Sequence, residues 1–282
     1  MESKMAMGAA ARLLLVGSAL SGLALALSAF CASARECPGN PEAIGTSRVI
    51  SVDPTTLRQV GTAQYSETLP LRDHEIVLTF DDGPSSPPTE KVLDALAAEC
   101  VKANFFVDGE HAKERPDLVR RAYKEGHTIG THSETHADLS RLTLAAAERE
   151  IGDGIDAANA ALGPQMTAAP FFRAPYLQIT SDLEQFLIQR DVMLWSIDVD
   201  PEDWRPQTPG QVVERTMAQL EKRHSGIVLL HDVQPQTAAA IPMLLRELKI
   251  RGYSIAHAVA ADAQAKPIAV NHDASAAGAP VK

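Results

Sequence analysis

The sequence predicts an α/β fold built around a parallel sheet. From residue 75 onward, short runs of β-branched and aromatic residues alternate with longer amphipathic stretches, which is typical of repeated strand–helix units. Proline at first-turn positions, as at Pro116 and Pro209, and glycine just past helix ends, as at Gly126 and Gly252, mark the boundaries of the helices. Such a series fits either an incompletely closed barrel or an open doubly wound sheet. Both folds place functional groups at the carboxyl ends of the strands.

Seven strands and six helices are predicted by this alternation. The strands are Ile76–Phe80, Ala103–Val107, Thr128–Thr131, Ala169–Phe172, Met193–Ile197, Ile227–Leu230 and Tyr253–Ala256. The helices are Thr89–Glu99, Pro116–Glu125, Leu144–Leu162, Ser181–Gln189, Pro209–Arg223 and Thr237–Ile250.

The two ends of the chain differ from this pattern. Residues 1–34 read as a signal peptide, because Lys4 and Arg12 precede or border an apolar run that leads to an Ala32-Ser33-Ala34 cleavage site. Cleavage near Ala34 would export a chain of about 250 residues, the size of one α/β barrel. A retained membrane anchor is the alternative, although the apolar run of about 15 residues is short for a span of roughly 20.

The remaining chain divides into three predicted segments. Residues 35–74 are expected to form an extended lead-in across the barrel, residues 75–260 the single catalytic domain, and residues 261–282 a disordered tail rich in Ala, Pro and Asp. Cys37 and Cys100 survive removal of the signal, and an oxidising compartment permits a disulfide between them. Their spacing does not decide whether it forms.

The net charge of −10 disfavours nucleic acid as a partner, because two polyanions repel each other. Neutral or weakly charged glycans remain possible partners. Nothing in the sequence implies a protein partner, and we expect a monomer.

Five groups of polar residues each follow directly after a predicted strand. They are Asp81 and Asp82, His132 and His136, Arg173 to Tyr176, Asp200 to Trp204, and His231. Because the carboxyl ends of parallel strands meet at one rim, we expect these groups to form one site.

Part of that site has the composition of a metal centre. The adjacent Asp81 and Asp82 repel each other unless a cation or a basic group lies between them. His132 and His136 are four residues apart, which would place both imidazoles on one face of a helical turn. Asp82 with these two histidines makes a two-histidine, one-carboxylate set. That set suits hydrolytic Zn²⁺ and also non-haem Fe(II) oxygenases, although an all-β scaffold is usual for the oxygenases and the alternation here contradicts it.

For other polar residues, we expect structural or solvated roles. Asp200 is expected to accept a backbone hydrogen bond in the Asp200-Pro201 turn, and Asp198 and Glu202 to be ordinary loop charges. The remaining histidines are expected to be solvated or to pack structurally: His74, His111, His127, His224, His257 and His272.

The five groups together resemble the ordered motifs of the polysaccharide deacetylase family, carbohydrate esterase family 4, which carries the NodB-homology domain. The matching segments are Thr79-Phe80-Asp81-Asp82-Gly83, His132-Ser133-x-x-His136, Arg173-Ala174-Pro175-Tyr176, Asp200-Pro201-Glu202-Asp203-Trp204 and Ile227-Val228-Leu229-Leu230-His231. The resemblance spans Ile76 to Tyr253 and implies a distorted (β/α)7–8 barrel in a single domain.

The resemblance also implies a role for each site residue. Asp82, His132 and His136 would hold one divalent metal, Zn²⁺ or else Co²⁺ or another divalent ion. Asp81 would be the general base paired with Arg173, and His231 the general acid oriented by Asp203. The backbone N–H of Tyr176 would stabilise the oxyanion, with Pro175 beside it at the substrate, and Trp204 and Leu229 would wall the acetyl pocket.

The activity implied is hydrolysis of N-acetyl groups from an N-acetylated polysaccharide, with release of acetate. Peptidoglycan, a chitin-like glycan and poly-N-acetylglucosamine all remain open as the substrate. Two alternatives are an O-acetyl esterase acting on an acetylated glycan and a non-catalytic carbohydrate-binding protein on the same fold.

Overall fold

The computed structural model describes residues 37–261, in which nine strands form one parallel sheet and seven helices pack around it. The predicted signal peptide, and the predicted tail beyond residue 261, lie outside the described residues. No helix among residues 37–261 has both the length and the apolar character needed to cross a bilayer.

The strands and helices alternate along most of the chain. The strands are β1 Thr46–Val52, β2 Gln59–Val60, β3 Glu75–Asp81, β4 Asn104–Val107, β5 Thr128–Thr131, β6 Phe171–Phe172, β7 Met193–Trp195, β8 Gly226–His231 and β9 Ser254–Ala260. The helices are α1 Pro88–Ala98, α2 Gly109–Glu114, α3 Pro116–Lys124, α4 Leu144–Leu162, α5 Ser181–Ile188, α6 Pro209–Arg223 and α7 Pro235–Ile250. Short 3-10 turns occupy Leu139–Arg141 and Pro175–Leu177.

The sheet curves into a distorted barrel that does not close completely. Its order is β1-β9-β3-β4-β5-β6-β7-β2, and β8 pairs with β3 from the other side. Among the described residues, the segment that follows β7 is joined to β8 by a single β-bridge, between Val199 and Val228. The prediction of a distorted α/β barrel is therefore confirmed, with the irregularity located beside β8.

β3 organises the site because its two faces lie in different environments. Every residue of β3 is buried, as expected for a strand covered on both faces. Ile76, Leu78 and Phe80 belong to the large core that packs against the helices, whereas Val77 belongs to the core inside the barrel. Since side chains alternate along a strand, Asp81 continues the inward-facing row at the carboxyl end.

The lead-in contributes two strands that the sequence alternation did not predict. β1 pairs in parallel with β9, and β2 pairs in parallel with β7. β1 escaped prediction because it includes Ser47 and Arg48 and leaves much of its length exposed, and β2 is only two residues long. The lead-in is also cross-linked to the end of α1, because Cys37 and Cys100 form a disulfide with a Cα–Cα distance of 5.6 Å.

Asp198 anchors the lead-in to the barrel, so the expectation of an ordinary loop charge is wrong. Its buried carboxylate accepts hydrogen bonds from the backbone N–H and hydroxyl of Thr62, at 2.8 and 2.7 Å, and from the hydroxyl of Thr68 at 2.6 Å. The backbone N–H of Ile227 at the start of β8 donates a further bond at 2.9 Å. These donors lower the pKa of Asp198 despite its burial.

Candidate active site

The inward row of β3 ends in a buried ion pair between Asp81 and Arg173. The Arg173 guanidinium donates to Asp81 Oδ1 at 2.6 Å, to the Thr79 hydroxyl at 2.9 Å and to the Ser196 carbonyl at 3.1 Å. It also stacks over the ring of Phe106 with its central carbon 4.3 Å from the ring centroid. Arg173 is fully buried, so these contacts fix the orientation of the Asp81 carboxylate. The predicted pairing is present.

Asp82, His132 and His136 converge beside this pair. Asp82 Oδ1 lies 3.5 Å from His132 Nε2 and 3.3 Å from His136 Nε2. Ligand atoms bound about 2.1 Å from a tetrahedral ion are roughly 3.4 Å apart. Both distances from Asp82 therefore match the spacing that a Zn²⁺-sized ion requires, and all three predicted ligand atoms lie within 4.8 Å of one another.

The hydrogen bonding of these side chains also fits a cation. Asp82 Oδ1 is buried and has no hydrogen-bond partner among the described residues, which leaves a carboxylate oxygen available for an ion. His132 Nδ1 donates to the Arg173 carbonyl at 2.7 Å, and this directs the lone pair of Nε2 towards Asp82. Burial lowers the pKa of His132 and so favours its neutral, metal-binding form.

The two histidines lie in a loop, so the prediction that they share a helical turn is wrong. Residues 132–136 follow β5 without helical structure, and Ser133 and His136 have positive φ values of 71° and 56°. The loop is held from two sides. The N–H of Gly109 on α2 donates to the Ser133 carbonyl at 2.9 Å, and Gly154 on α4 packs so closely that an added Cβ would lie 2.4 Å from the same carbonyl.

His231 stands at the end of β8 and is oriented by Asp203. Its Nδ1 lies 2.6 Å from Asp203 Oδ1, and its backbone N–H donates to Asp203 Oδ2 at 2.8 Å. The Thr237 hydroxyl donates to the same Oδ2 at 2.5 Å. Burial alone would lower the pKa of His231, but its hydrogen bond to Asp203 and the charges of Asp203, Asp82 and Asp81 raise it to about 9. This imidazole is therefore protonated at neutral pH and can donate a proton from Nε2.

A cavity of about 370 Å³ opens above these groups. Asp81, the three metal ligands and His231 line it, together with Leu229, Trp204, Tyr176 and Asp200. Trp204 and Tyr176 are half exposed or more, so their rings form part of the rim, whereas Leu229 is buried in the wall. Tyr176 has a positive φ of 57° and packs edge-on against the His136 ring.

Asp200 lines the cavity, whereas Pro175 lies outside it. Pro175 does not line the cavity; it is buried and begins the 3-10 turn that presents Tyr176. Asp200 accepts the predicted backbone hydrogen bond from Glu202 N–H at 2.7 Å, and it also faces the cavity.

Residues close to the site were missed by the sequence analysis. Asp108 and Asp232 are buried carboxyl groups; burial and the charges of Asp82 and Asp81 raise the pKa of Asp108 to about 10 and that of Asp232 to about 7. Each follows a strand, β4 or β8, so the rule that picked the other groups could have found them. His111, expected to be solvated or packed, instead places Nδ1 2.6 Å from the Asp82 carbonyl oxygen.

Fold and site together define a parallel α/β protein in which a candidate metal centre lies between a buried carboxylate and a protonated imidazole. The polysaccharide deacetylase family model matches residues 69–193. A chitooligosaccharide deacetylase of Rhizobium leguminosarum bv. trifolii is 35% identical over 197 residues, which cover 65% of this chain and 89% of the relative. The chain belongs to the polysaccharide deacetylase family.

Other relatives extend this comparison to peptidoglycan enzymes. Peptidoglycan-N-acetylmuramic acid deacetylase PdaC of Bacillus subtilis (strain 168) is 34% identical over 189 residues, or 67% of this chain, but the match spans 39% of PdaC. Among solved structures, the Bdellovibrio bacteriovorus peptidoglycan deacetylase Bd3279 aligns with a TM-score of 0.70 and 34% identity, covering 78% of this chain and 60% of that one. The fold and the family predicted from the sequence are thereby confirmed.

Proposed function

We propose that this protein is a divalent-metal-dependent hydrolase that removes N-acetyl groups from an N-acetylated polysaccharide and releases acetate. One observation carries the proposal. Asp82, His132 and His136 lie at metal-ligand spacing, between a carboxylate fixed by Arg173 on one side and an imidazole fixed by Asp203 on the other. Amide hydrolysis requires an activated water, stabilisation of the carbonyl oxygen and a proton for the leaving nitrogen.

Asp82, His132 and His136 would hold the ion, which we propose to be Zn²⁺, with Co²⁺ as a possible substitute. When bound, such an ion lowers the pKa of a coordinated water from 15.7 towards about 7 and polarises an acyl oxygen. The residues around it supply the proton transfers. Asp81 Oδ1 is held by Arg173, whereas Oδ2 lies 3.9 Å from His132 Nε2 and so faces the metal ligands. Asp81 Oδ2 would accept the proton of the attacking water.

His231 supplies the proton that the departing amine needs. Because the pKa of His231 is raised to about 9, its imidazole carries the proton before substrate arrives. The hydrogen bond from Nδ1 to Asp203 leaves Nε2–H to donate into the cavity. An amine is a poor leaving group unless its nitrogen is protonated, and the Asp203–His231 pair would supply that proton.

The cavity wall suggests how the acetyl group is bound. Leu229 and Trp204 would contact the acetyl methyl, and the backbone N–H of Tyr176 would donate to the developing oxyanion. The exposed rings of Trp204 and Tyr176 give a sugar ring apolar faces on which to stack.

The substrate is proposed from the relatives and the cavity together. Peptidoglycan and chitooligosaccharides are the substrates in the names of the relatives, and both present N-acetyl groups on a glycan chain. An ester carbonyl would fit the same cavity, so O-deacetylation is the second candidate. We propose that the enzyme acts on this glycan as a monomer.

We also propose that the protein is exported, with cleavage near Ala34. Two observations support export: the apolar run and A-x-A sequence before residue 35, and the disulfide between Cys37 and Cys100, which persists in oxidising compartments.

The experiment is to incubate the purified chain, supplied with Zn²⁺, with N-acetylated and O-acetylated glycans and to measure released acetate. We expect acetate from an N-acetylated glycan, no turnover by Asp81→Asn, and retention of metal by that variant. His132→Ala should instead lose the metal itself. Absence of acetate from every glycan would refute the activity and leave the non-catalytic carbohydrate-binding alternative. Acetate from esters alone would replace the proposal with its second candidate.

A further inference from the structure

A second cluster of metal-ligating side chains lies at the opposite end of the barrel. Asp73, His74 and His224 each offer one ligand atom, and these atoms lie within 4.8 Å of one another. Asp73 and His74 immediately precede β3, whereas Asp81 and Asp82 stand at its other end. A seven-residue strand spans roughly 20 Å, so this cluster is separate from the candidate active site.

The backbone holds the two histidines of this cluster together. The N–H of His74 donates to the His224 carbonyl at 2.8 Å, which joins the start of β3 to the turn between α6 and β8. The His74 carbonyl in turn accepts from the N–H of Ser254 at 2.8 Å, at the start of β9. The cluster thus sits where three segments of the sheet meet, on a framework that does not depend on its side chains.

Both histidines adopt an uncommon backbone conformation. His74 has a φ of 55° and His224 a φ of 66°, in the left-handed region that favours glycine. His224 ends α6 at the position where glycine is the usual residue. Both imidazoles lie near the Asp73 carboxylate, so this backbone conformation brings three metal-ligating side chains to one place.

The side chains are close to a coordination geometry. Asp73 Oδ2 and His74 Nδ1 are 2.8 Å apart, a hydrogen bond that a cation would replace, and Asp73 Oδ1 lies 4.0 Å from His224 Nδ1. The two imidazole centroids are 5.5 Å apart, and the ring of Tyr253 packs against His74 at 4.8 Å. Because the Asp73 and His224 side chains are more than half exposed, they can move the short distance to the roughly 3.4 Å ligand spacing of a tetrahedral ion.

We propose that Asp73, His74 and His224 form a second, structural site for a transition-metal cation of the Zn²⁺ class. Two imidazoles and one carboxylate are ligands that Zn²⁺, Ni²⁺ and Cu²⁺ accept, whereas Mg²⁺ and Ca²⁺ prefer oxygen alone. Solvent would complete the coordination, since the cluster is open to water. A cation there would tie the start of β3 to the α6–β8 turn and would stabilise the fold without entering the chemistry.

The test uses the metal-stripped full chain and Zn²⁺ as the probe. Equilibrium dialysis should give two bound equivalents for the unmodified protein, one for His224→Gln and one for His132→Ala. The double variant should bind none. Asp153→Asn, which changes an exposed carboxylate on α4, is the matched control and should keep both equivalents.

A second measurement separates a structural site from adventitious binding. In the His132→Ala background, Zn²⁺ should raise the unfolding temperature, and adding His224→Gln should abolish that rise. A single equivalent in the unmodified protein that is lost in His132→Ala, or two equivalents in His224→Gln, would overturn the proposal. So would a Zn²⁺-induced rise in unfolding temperature that survives in the double variant. None of these outcomes depends on whether the protein deacetylates a glycan.

Discussion

Replacing Asp203 with asparagine isolates the electrostatic control of His231. Asp203 is fully buried, and its carboxylate is 2.6 Å from His231 Nδ1. It is the principal reason why the pKa of His231 rises to about 9 against the effect of burial. Asp203→Asn keeps the shape of the side chain and removes the charge, so the pKa of His231 should fall to about its usual 6.5 or below.

The size of the effect follows from the fraction of imidazole that carries a proton. With a pKa of about 9, His231 is about 90% protonated at pH 8, whereas with a pKa of 6.5 it is about 3% protonated. The variant should therefore lose about 30-fold in rate at pH 8 beyond any loss at pH 6, where both forms are mostly protonated. A bound cation lowers the pKa of His231 in both proteins, which shifts the alkaline limb of both pH–rate profiles to lower pH. The difference between the two profiles is therefore the diagnostic quantity.

The assay is a pH profile of kcat/KM for acetate release by the unmodified protein, Asp203→Asn and Thr237→Val. Thr237→Val removes a hydrogen bond to Asp203 but keeps the charge, so its alkaline limb should not move to lower pH. A loss in Asp203→Asn that is equal at every pH would refute the assigned role. If Thr237→Val shifted the alkaline limb of the pH profile by the same amount, the effect would come from a structural change and not from the charge of Asp203.

Three further predictions concern the scaffold around the site. Gly154→Ala should weaken Zn²⁺ binding at the Asp82 site at least about tenfold, because the new methyl displaces the Ser133 carbonyl; overpacking of this kind also costs about 1–3 kcal/mol. Calorimetric titration checks this, and unchanged affinity would contradict it. His257 is buried and its pKa is lowered to about 4, so unfolding gains protons as pH falls from 6.5 towards 4. The free energy of unfolding should therefore decrease by up to about 3 kcal/mol as the pH falls from 6.5 to 4. Denaturant titrations of His257→Gln should show a smaller decrease over this range. An equal decrease in both proteins would contradict the assignment. Cys37→Ser opens a cross-link between residues 63 apart and should cost about 4 kcal/mol in the free energy of unfolding, whereas a loss below about 1 kcal/mol would show the bond to be incidental.

Most of the site residues that the sequence predicted share one physical property: they lie at or just beyond the carboxyl end of a buried strand. β3 and β8 are largely apolar because both of their faces are covered, and their last residues, Asp81 and His231, are found at one rim. Arg173 was found by the same rule although β6 is only two residues long.

The parts that were missed depend on tertiary contacts that leave little trace in local periodicity. β1 and β2 are strands because β9 and β7 pair with them, and their own residues carry a weak apolar signal. His132 and His136 have helical spacing, yet contacts from α2 and α4 hold them in a loop with two positive φ values. The importance of Asp198 follows from five donors, three of which lie in the lead-in.

The most direct test of the proposed activity is acetate release from an N-acetylated glycan by the chain stripped of metal and then resupplied with Zn²⁺. We predict no acetate from the stripped protein and recovery of activity as the Asp82, His132 and His136 site fills, at one catalytic equivalent per chain. Undiminished acetate release by protein verified to be free of metal would contradict the account.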